Sequence, residues 1–391
     1  MLALRLARGS RPLVLLRRLL VAVASAGAGF LLLCTLGSAM GHPDGSLVRL
    51  LWCLIPVAAT TQFAVAVART DPGTRPRHGL SAIGYGPARL AAVAATSTAV
   101  SCAVGSAVAL LVFLRLRGGL SGRAPDGAAE LLAADRPLPL GAALTLLAVV
   151  PALASGAAAL ALRPRRRAAA PEAVAPPGEP ERPDAFAEAP APTGLPWGVA
   201  LTAAGLAVET YASRGGGGSP VPLPGGFGGS QAGVLAGWSL TALGLALAGP
   251  GLTHLSGRLL QAVRPGTIRL LAGRILMTEA RGIGRPLGVL CAVIAGIFAA
   301  TALYGSGGAR PYGLLTGLGA TLVIGCTAAT LLTATLESRQ ARADTMATLA
   351  HLGAPAGTLR TAAAVRATAL LAVFIPLTWA VSALAAIPLS A

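Results

Sequence analysis

The chain has 391 residues, of which 54% are hydrophobic and 12% charged, with a formal net charge of +17. A soluble domain carries about 25% charged residues, so this chain has too little polar surface to coat a globule in water. Its apolar residues also fall in runs long enough to cross about 30 Å of hydrocarbon as helices, which points to an all-α, polytopic membrane protein.

Every basic residue is arginine and no lysine occurs, a bias that fits a high-GC coding sequence. It has a mechanistic consequence. A P-loop needs its lysine to reach the β- and γ-phosphates, so the chain contains no Walker A site. The arginines flank the hydrophobic runs, the pattern of topology signals, and the positive charge therefore does not indicate a nucleic-acid partner.

In chain order, the apolar runs predict nine spans: 19–40, 48–68, 90–114, 138–162, 195–213, 231–250, 287–304, 312–336 and 361–388. Arg17 and Arg18 precede the first run as in a signal peptide, but the run is longer than the usual apolar core of one, and it is read as retained. With the N-terminus in the cytoplasm, inner segments hold 24 arginines. Outer segments hold seven: Arg49, Arg115, Arg117, Arg123, Arg136, Arg214 and Arg310. The positive-inside rule favours that orientation in a plasma (inner) membrane.

Residues 163–194 form a Pro/Ala/Glu-rich linker, too polar and proline-rich to pack. They separate a first module, residues 1–162, from a connecting hairpin, 195–250, and a second module, 251–391. The glycine-rich stretch Arg214–Ser230 reads as an outer connector. Cys34, Cys53, Cys102, Cys291 and Cys326 all lie inside apolar runs without a CxxC pair, so they read as packing residues and neither a zinc site nor a disulfide framework is expected.

The informative feature is an internal repeat. Leu80, Ile83, Gly84 and Leu90 follow the second span, and Leu349, Leu352, Gly353 and Leu359 follow the eighth. Both read L-x-x-[IL]-G-x5-L and lead into an apolar run. The basic segments before spans one and seven also correspond loosely. The repeating unit is thus a basic interfacial helix, a span, a short outer loop, a span, a short cytoplasmic helix and a span. In the second copy no Pro or Gly occurs from Glu337 to Leu352, which allows a short amphipathic helix. Met346, Leu349 and Leu352 give its apolar stripe, Glu337, Arg339, Arg342 and Asp344 its polar remainder, and Gly353 its stop.

This pattern resembles the FtsX-like permease family of ABC transporters, on Glu337, Arg339, Arg342, Leu349, Leu352, Gly353, Ala354 and Leu359, with the weaker first copy at Leu80, Ile83, Gly84 and Leu90. The resemblance covers both modules, about two thirds of the chain. It implies two related membrane modules and a cytoplasmic helix that relays motion from a separate ABC ATPase subunit. The duplication further implies one such chain per two ATPase copies. Several positions depart from the family pattern. The acidic residue before the stripe falls on Thr345, with Asp344 one place off. Pro72, Pro76 and Gly79 interrupt the first coupling segment. Few residues remain between spans one and two, and the second module ends one span short of the first.

Two other classes compete. A secondary transporter needs ionisable groups at membrane depth, and the spans offer only Glu209, read as an interfacial residue, and Arg366, read as snorkelling at the inner end. A non-transporting scaffold relaying ATPase state needs an outer domain, but the outer loops at 115–137 and 214–230 are small. His42, His78, His254 and His351 are scattered over loops without a metal motif and read as surface residues, so neither catalysis nor a cofactor is expected. Gly313 and Gly317 in span eight form a small-xxx-small face expected to pack closely on another helix. Short outer loops and uncharged spans point to export of a lipophilic or amphipathic substrate.

Overall fold

The computed structural model describes residues 12–41, 50–70, 87–118, 137–163, 192–214, 220–221, 230–262, 266–304, 314–341 and 356–390. Over these residues the chain is helical. The helices are α1 (Pro12–Gly41), α2 (Leu54–Thr70), α3 (Pro87–Leu116), α4 (Leu140–Leu162) and α5 (Gly194–Arg214). They continue with α6 (Ala232–Ala262), α7 (Thr267–Tyr304), α8 (Leu314–Ala341) and α9 (Ala356–Ser390). Between α5 and α6, Pro220–Val221 (β1) pairs antiparallel with Ser230–Gln231 (β2).

Seven of these helices, all except α5 and α6, are long and apolar enough to cross a membrane. The chain is therefore an all-α, multi-pass protein, and apolarity alone supports seven crossings where nine were expected. The remaining two have the length, and in α5 Pro196, Trp197 and Glu209 dilute the leucine and valine. Large apolar side chains stand exposed around the molecule, among them Val23, Val100, Leu111, Leu160, Leu371, Ile375 and Trp379. In water such a surface would aggregate; against lipid tails it is the solvated face.

Two groups of helices pack together. In the first, α3 lies along α1 and α4, with α2 against α4 and α1. Ser25 Oγ donates to the Cys102 carbonyl at 2.9 Å, and Ser106 Oγ donates to the Leu147 carbonyl at 3.1 Å, both buried. Hydrogen bonds of this kind tie neighbouring helices where lipid supplies no hydrophobic drive. Phe30 and Phe113 add an edge-to-face ring contact, with centroids 6.3 Å apart.

In the second group α6 is sandwiched between α5 and α7, and α9 packs on α7. Glycines set the closeness. A Cβ at Gly237 on α6 would lie 2.8 Å from the Glu209 backbone nitrogen and 2.9 Å from its Cβ, and one at Gly284 on α7 would lie 2.5 Å from the Pro250 Cα. Only glycine lets the backbones approach this far. Of the glycine pair expected to do this in span eight, Gly317 does not. A Cβ at Gly317 meets nothing within 4 Å, and Gly313 lies outside the described residues. The same small-xxx-small spacing at Gly284 and Gly288 supplies the contact instead, because those positions face a neighbour.

The helix α8 joins the two groups. It touches α7, its neighbour in sequence, but its larger contact is with α2 of the first group. Val21, Ala24, Phe63, Ala64, Val67, Cys102, Ala154 and Cys326 form one buried cluster across that junction. The basic segment before span seven is not a separate interfacial helix: α7 runs unbroken for 38 residues. At 1.5 Å per residue that is about 57 Å, well beyond the hydrocarbon thickness.

Candidate functional site

Four of the residues expected to couple to an ATPase, Glu337, Arg339, Leu359 and Leu90, lie at the ends of α8, α9 and α3. Glu337, part-buried, and Arg339, exposed, sit in the last turns of α8, which continues through Ala341. The span therefore runs into the segment expected to form the cytoplasmic helix without a break at its start. Leu359 is the fourth residue of α9, and Leu90 is the fourth residue of α3. The two copies of the repeat thus open their third helices at matching positions, Pro87 and Ala356. Arg342, Met346, Leu349, Leu352, Gly353 and Ala354, and Leu80, Ile83 and Gly84 of the first copy, lie outside the described residues, as does most of the linker.

The packing follows the repeat. The first and third helices of each unit pair closely, α1 with α3 and α7 with α9, and the second helices, α2 and α8, meet one another at the centre. There Thr60 Oγ1 lies 3.9 Å from Cys326 Sγ, both buried. Thr60 also donates to the Pro56 carbonyl at 2.8 Å, which keeps its hydroxyl satisfied inside the apolar seam.

Three polar residues have settings that the sequence did not show. Glu209, read as an interfacial residue, stands near the end of α5. It is fully buried between α5 and α6, where its Oε1 accepts the Trp238 indole N–H at 2.6 Å. Its Oε2 is buried without a partner among the described residues. Arg366 does not merely snorkel: its Nη1 lies 3.3 Å from Glu279 Oε2, joining α9 to α7 with both side chains largely buried. His254 sits within α6, buried, and is not a loop residue; His42, His78 and His351 lie outside the described residues. Sequence reasoning missed the settings of Glu209 and Arg366 because the partner is 29 residues away for the first and 87 for the second, and nothing in the local pattern names it.

The five cysteines are free and buried, as their place in apolar runs implied. Among the described residues no group of three or more His, Cys, Asp or Glu side chains could hold a metal ion. The arrangement offers interfaces and helix ends, which suits movement of helices. No family model, curated protein or solved structure matches this chain.

Proposed function

We propose that the chain is the membrane-spanning permease subunit of an ABC-type transporter, exporting a lipophilic or amphipathic substrate with energy from a separate ATPase chain. The observation that carries this reading is the repeat. The motif L-x-x-[IL]-G-x5-L recurs and leads into helices that begin at matching positions, Pro87 and Ala356. The like pairing of α1 with α3 and α7 with α9 supports two related FtsX-like modules. On this reading all nine helices cross the membrane, α5 and α6 included, and the N-terminus and the linker face the cytoplasm. One chain then takes two ATPase protomers, because it carries both modules. The complex would be weighed after purification in detergent: a ratio of two permease chains to two ATPases speaks against that stoichiometry.

The coupling segments test the reading directly. A docking helix inserts an apolar stripe into a groove of its partner. A central anchor of that kind is commonly worth about 2 kcal/mol or more, roughly thirtyfold in affinity. Leu349→Asp is expected to abolish ATPase co-purification and substrate-stimulated ATP hydrolysis while the chain still inserts. Leu80→Asp, in the segment interrupted by Pro72, Pro76 and Gly79, is expected only to weaken them. Absence of any effect from either change would remove the coupling role.

Ion-coupled transport is favoured by one observation, the buried Glu209 with its open Oε2. Residues 232–253 of α6, the helix packed against it, carry no ionisable side chain. Glu209→Gln leaves transport intact under the ATPase-driven reading and abolishes it under the ion-coupled one.

A further inference from the structure

A half-open crevice of about 20 Å³ lies between α1, α2 and α3, lined by Arg18, Val21, Val67, Ser97, Thr98 and Ser101 among others. It admits one water-sized group. Arg18 and Val21 lie in the first third of α1, Val67 near the end of α2, and Ser97, Thr98 and Ser101 in the first half of α3, so the crevice lies beside Arg18 and the arginine-bearing end of α2. Exposed Arg69 and Arg89 stand at the end of α2 and the start of α3. Residues 12–41, 50–70 and 87–116 contain no Asp or Glu.

The hydroxyls can turn toward a ligand at small cost. Ser97 and Thr98 both donate to the Ala94 carbonyl, at 3.0 and 2.9 Å. If Ser97 rotates away, that carbonyl keeps Thr98. Ser101 donates to the Ser97 carbonyl at 3.0 Å and retains its own acceptor lone pairs. Arginine beside a freed hydroxyl is the chemistry that holds a phosphate oxygen.

The lips of the crevice are apolar. On α1, Leu15 adjoins Arg18 by helical spacing and Leu19 follows it in sequence, and on α3, Val93, Val100 and Val104 adjoin Ser97; all five are exposed. A basic, hydroxylated notch flanked by exposed aliphatic ridges fits an amphiphile better than a free anion.

We propose that this crevice binds the headgroup phosphate of an anionic membrane phospholipid, with one phosphate oxygen in the notch against Arg18 and Ser97 and the acyl chains along Leu19 and Val104. Basic pockets between membrane helices hold lipid headgroups in this way. The site lies outside the segments assigned to ATPase coupling and stands whether or not the chain is a permease.

Native mass spectrometry of the purified chain would be run with three probes: phosphatidylglycerol, soluble glycerol phosphate, and a phosphate-free glycosyl diacylglycerol. One phosphatidylglycerol is expected to be retained in preference to the other two. Arg18→Gln is expected to lower that retention about tenfold, and Ser97→Leu, which fills the notch and keeps every arginine, to do the same. Arg258→Gln, an equal charge loss at an exposed position of α6, is expected to leave it unchanged. Equal loss from Arg258→Gln would mean only general charge attraction, and would overturn the site. Equal retention of glycerol phosphate would overturn the lipid, and equal retention of the glycolipid would overturn the phosphate contact. Unchanged binding in Ser97→Leu would overturn the placement.

Discussion

Trp238 on α6 donates its indole N–H to Glu209 on α5 at 2.6 Å, inside a helix pair where Gly237 and Gly205 let the backbones touch. The carboxyl is fully buried and this is its one hydrogen bond among the described residues. Removing the donor should therefore cost more than removing both partners. Trp238→Phe is expected to destabilise the chain by about 1–3 kcal/mol through the desolvated carboxyl. Trp238→Phe combined with Glu209→Leu should recover part of that loss. Thermal unfolding in detergent measures both, and a double variant no more stable than Trp238→Phe would show that the carboxyl is not desolvated.

The glycines of α7 and α8 should respond oppositely to a side chain. Gly284→Leu pushes against the Pro250 backbone and should lower stability by about 1–3 kcal/mol or more. Gly317→Leu meets open space and should change the unfolding midpoint little. Equal effects from the two would contradict the packing of α6 on α7.

The apolar runs made each of the nine helices legible as a segment. The predicted span 138–162 meets α4 at Leu140–Leu162, and 90–114 falls inside α3 at Pro87–Leu116. What the sequence did not carry was the choice of neighbour. In a soluble helix one polar face marks the outside, but here a lipid-facing Val100 and a buried Cys102 read alike. The Gly313/Gly317 and Gly284/Gly288 spacings are likewise indistinguishable by pattern, and only the fold shows that Gly284 and Gly288 meet a neighbour while Gly317 does not. The extension of α8 to Ala341 and the ion pair of Arg366 with Glu279 were not readable from the pattern.

That ion pair should behave as a half-hidden one, its side chains 20% and 11% exposed. Arg366→Leu is expected to cost about 2 kcal/mol, less than the loss of a partner from a fully buried pair. The exchange Glu279→Arg with Arg366→Glu should restore part of it. A reversal no more stable than the single changes would mean that the contact contributes through packing and not through charge.

The α2–α8 seam can be locked. With the other four cysteines replaced, Thr60→Cys places a thiol facing Cys326, where the present atoms are 3.9 Å apart. Mild oxidation should join them. A protease site inserted in the linker near Ala173 would then cut the chain into two halves that stay together until reduced. Halves that separate without reductant would place α8 elsewhere.

Orientation follows from the arginine asymmetry. Single cysteines at Ala173 and Ala391, in a chain without other cysteines, are expected to react oppositely with an impermeant maleimide in intact cells. Position 173 should be protected and position 391 labelled. Labelling at 173, or none at 391, would overturn the nine-span orientation.

Thr60 and Cys326 are separated by 266 residues of chain, yet each is the other's neighbour in the finished bundle. During synthesis at about 5–20 residues per second, the flank of α2 that carries Thr60 and Phe63 waits on the order of tens of seconds for α8 to emerge. Until then lipid must cover that flank, and the first four helices can gather but not close. Completion of the first half is thus timed by the last third of the chain, so truncation before α8 strands an exposed seam for quality-control proteases to recognise.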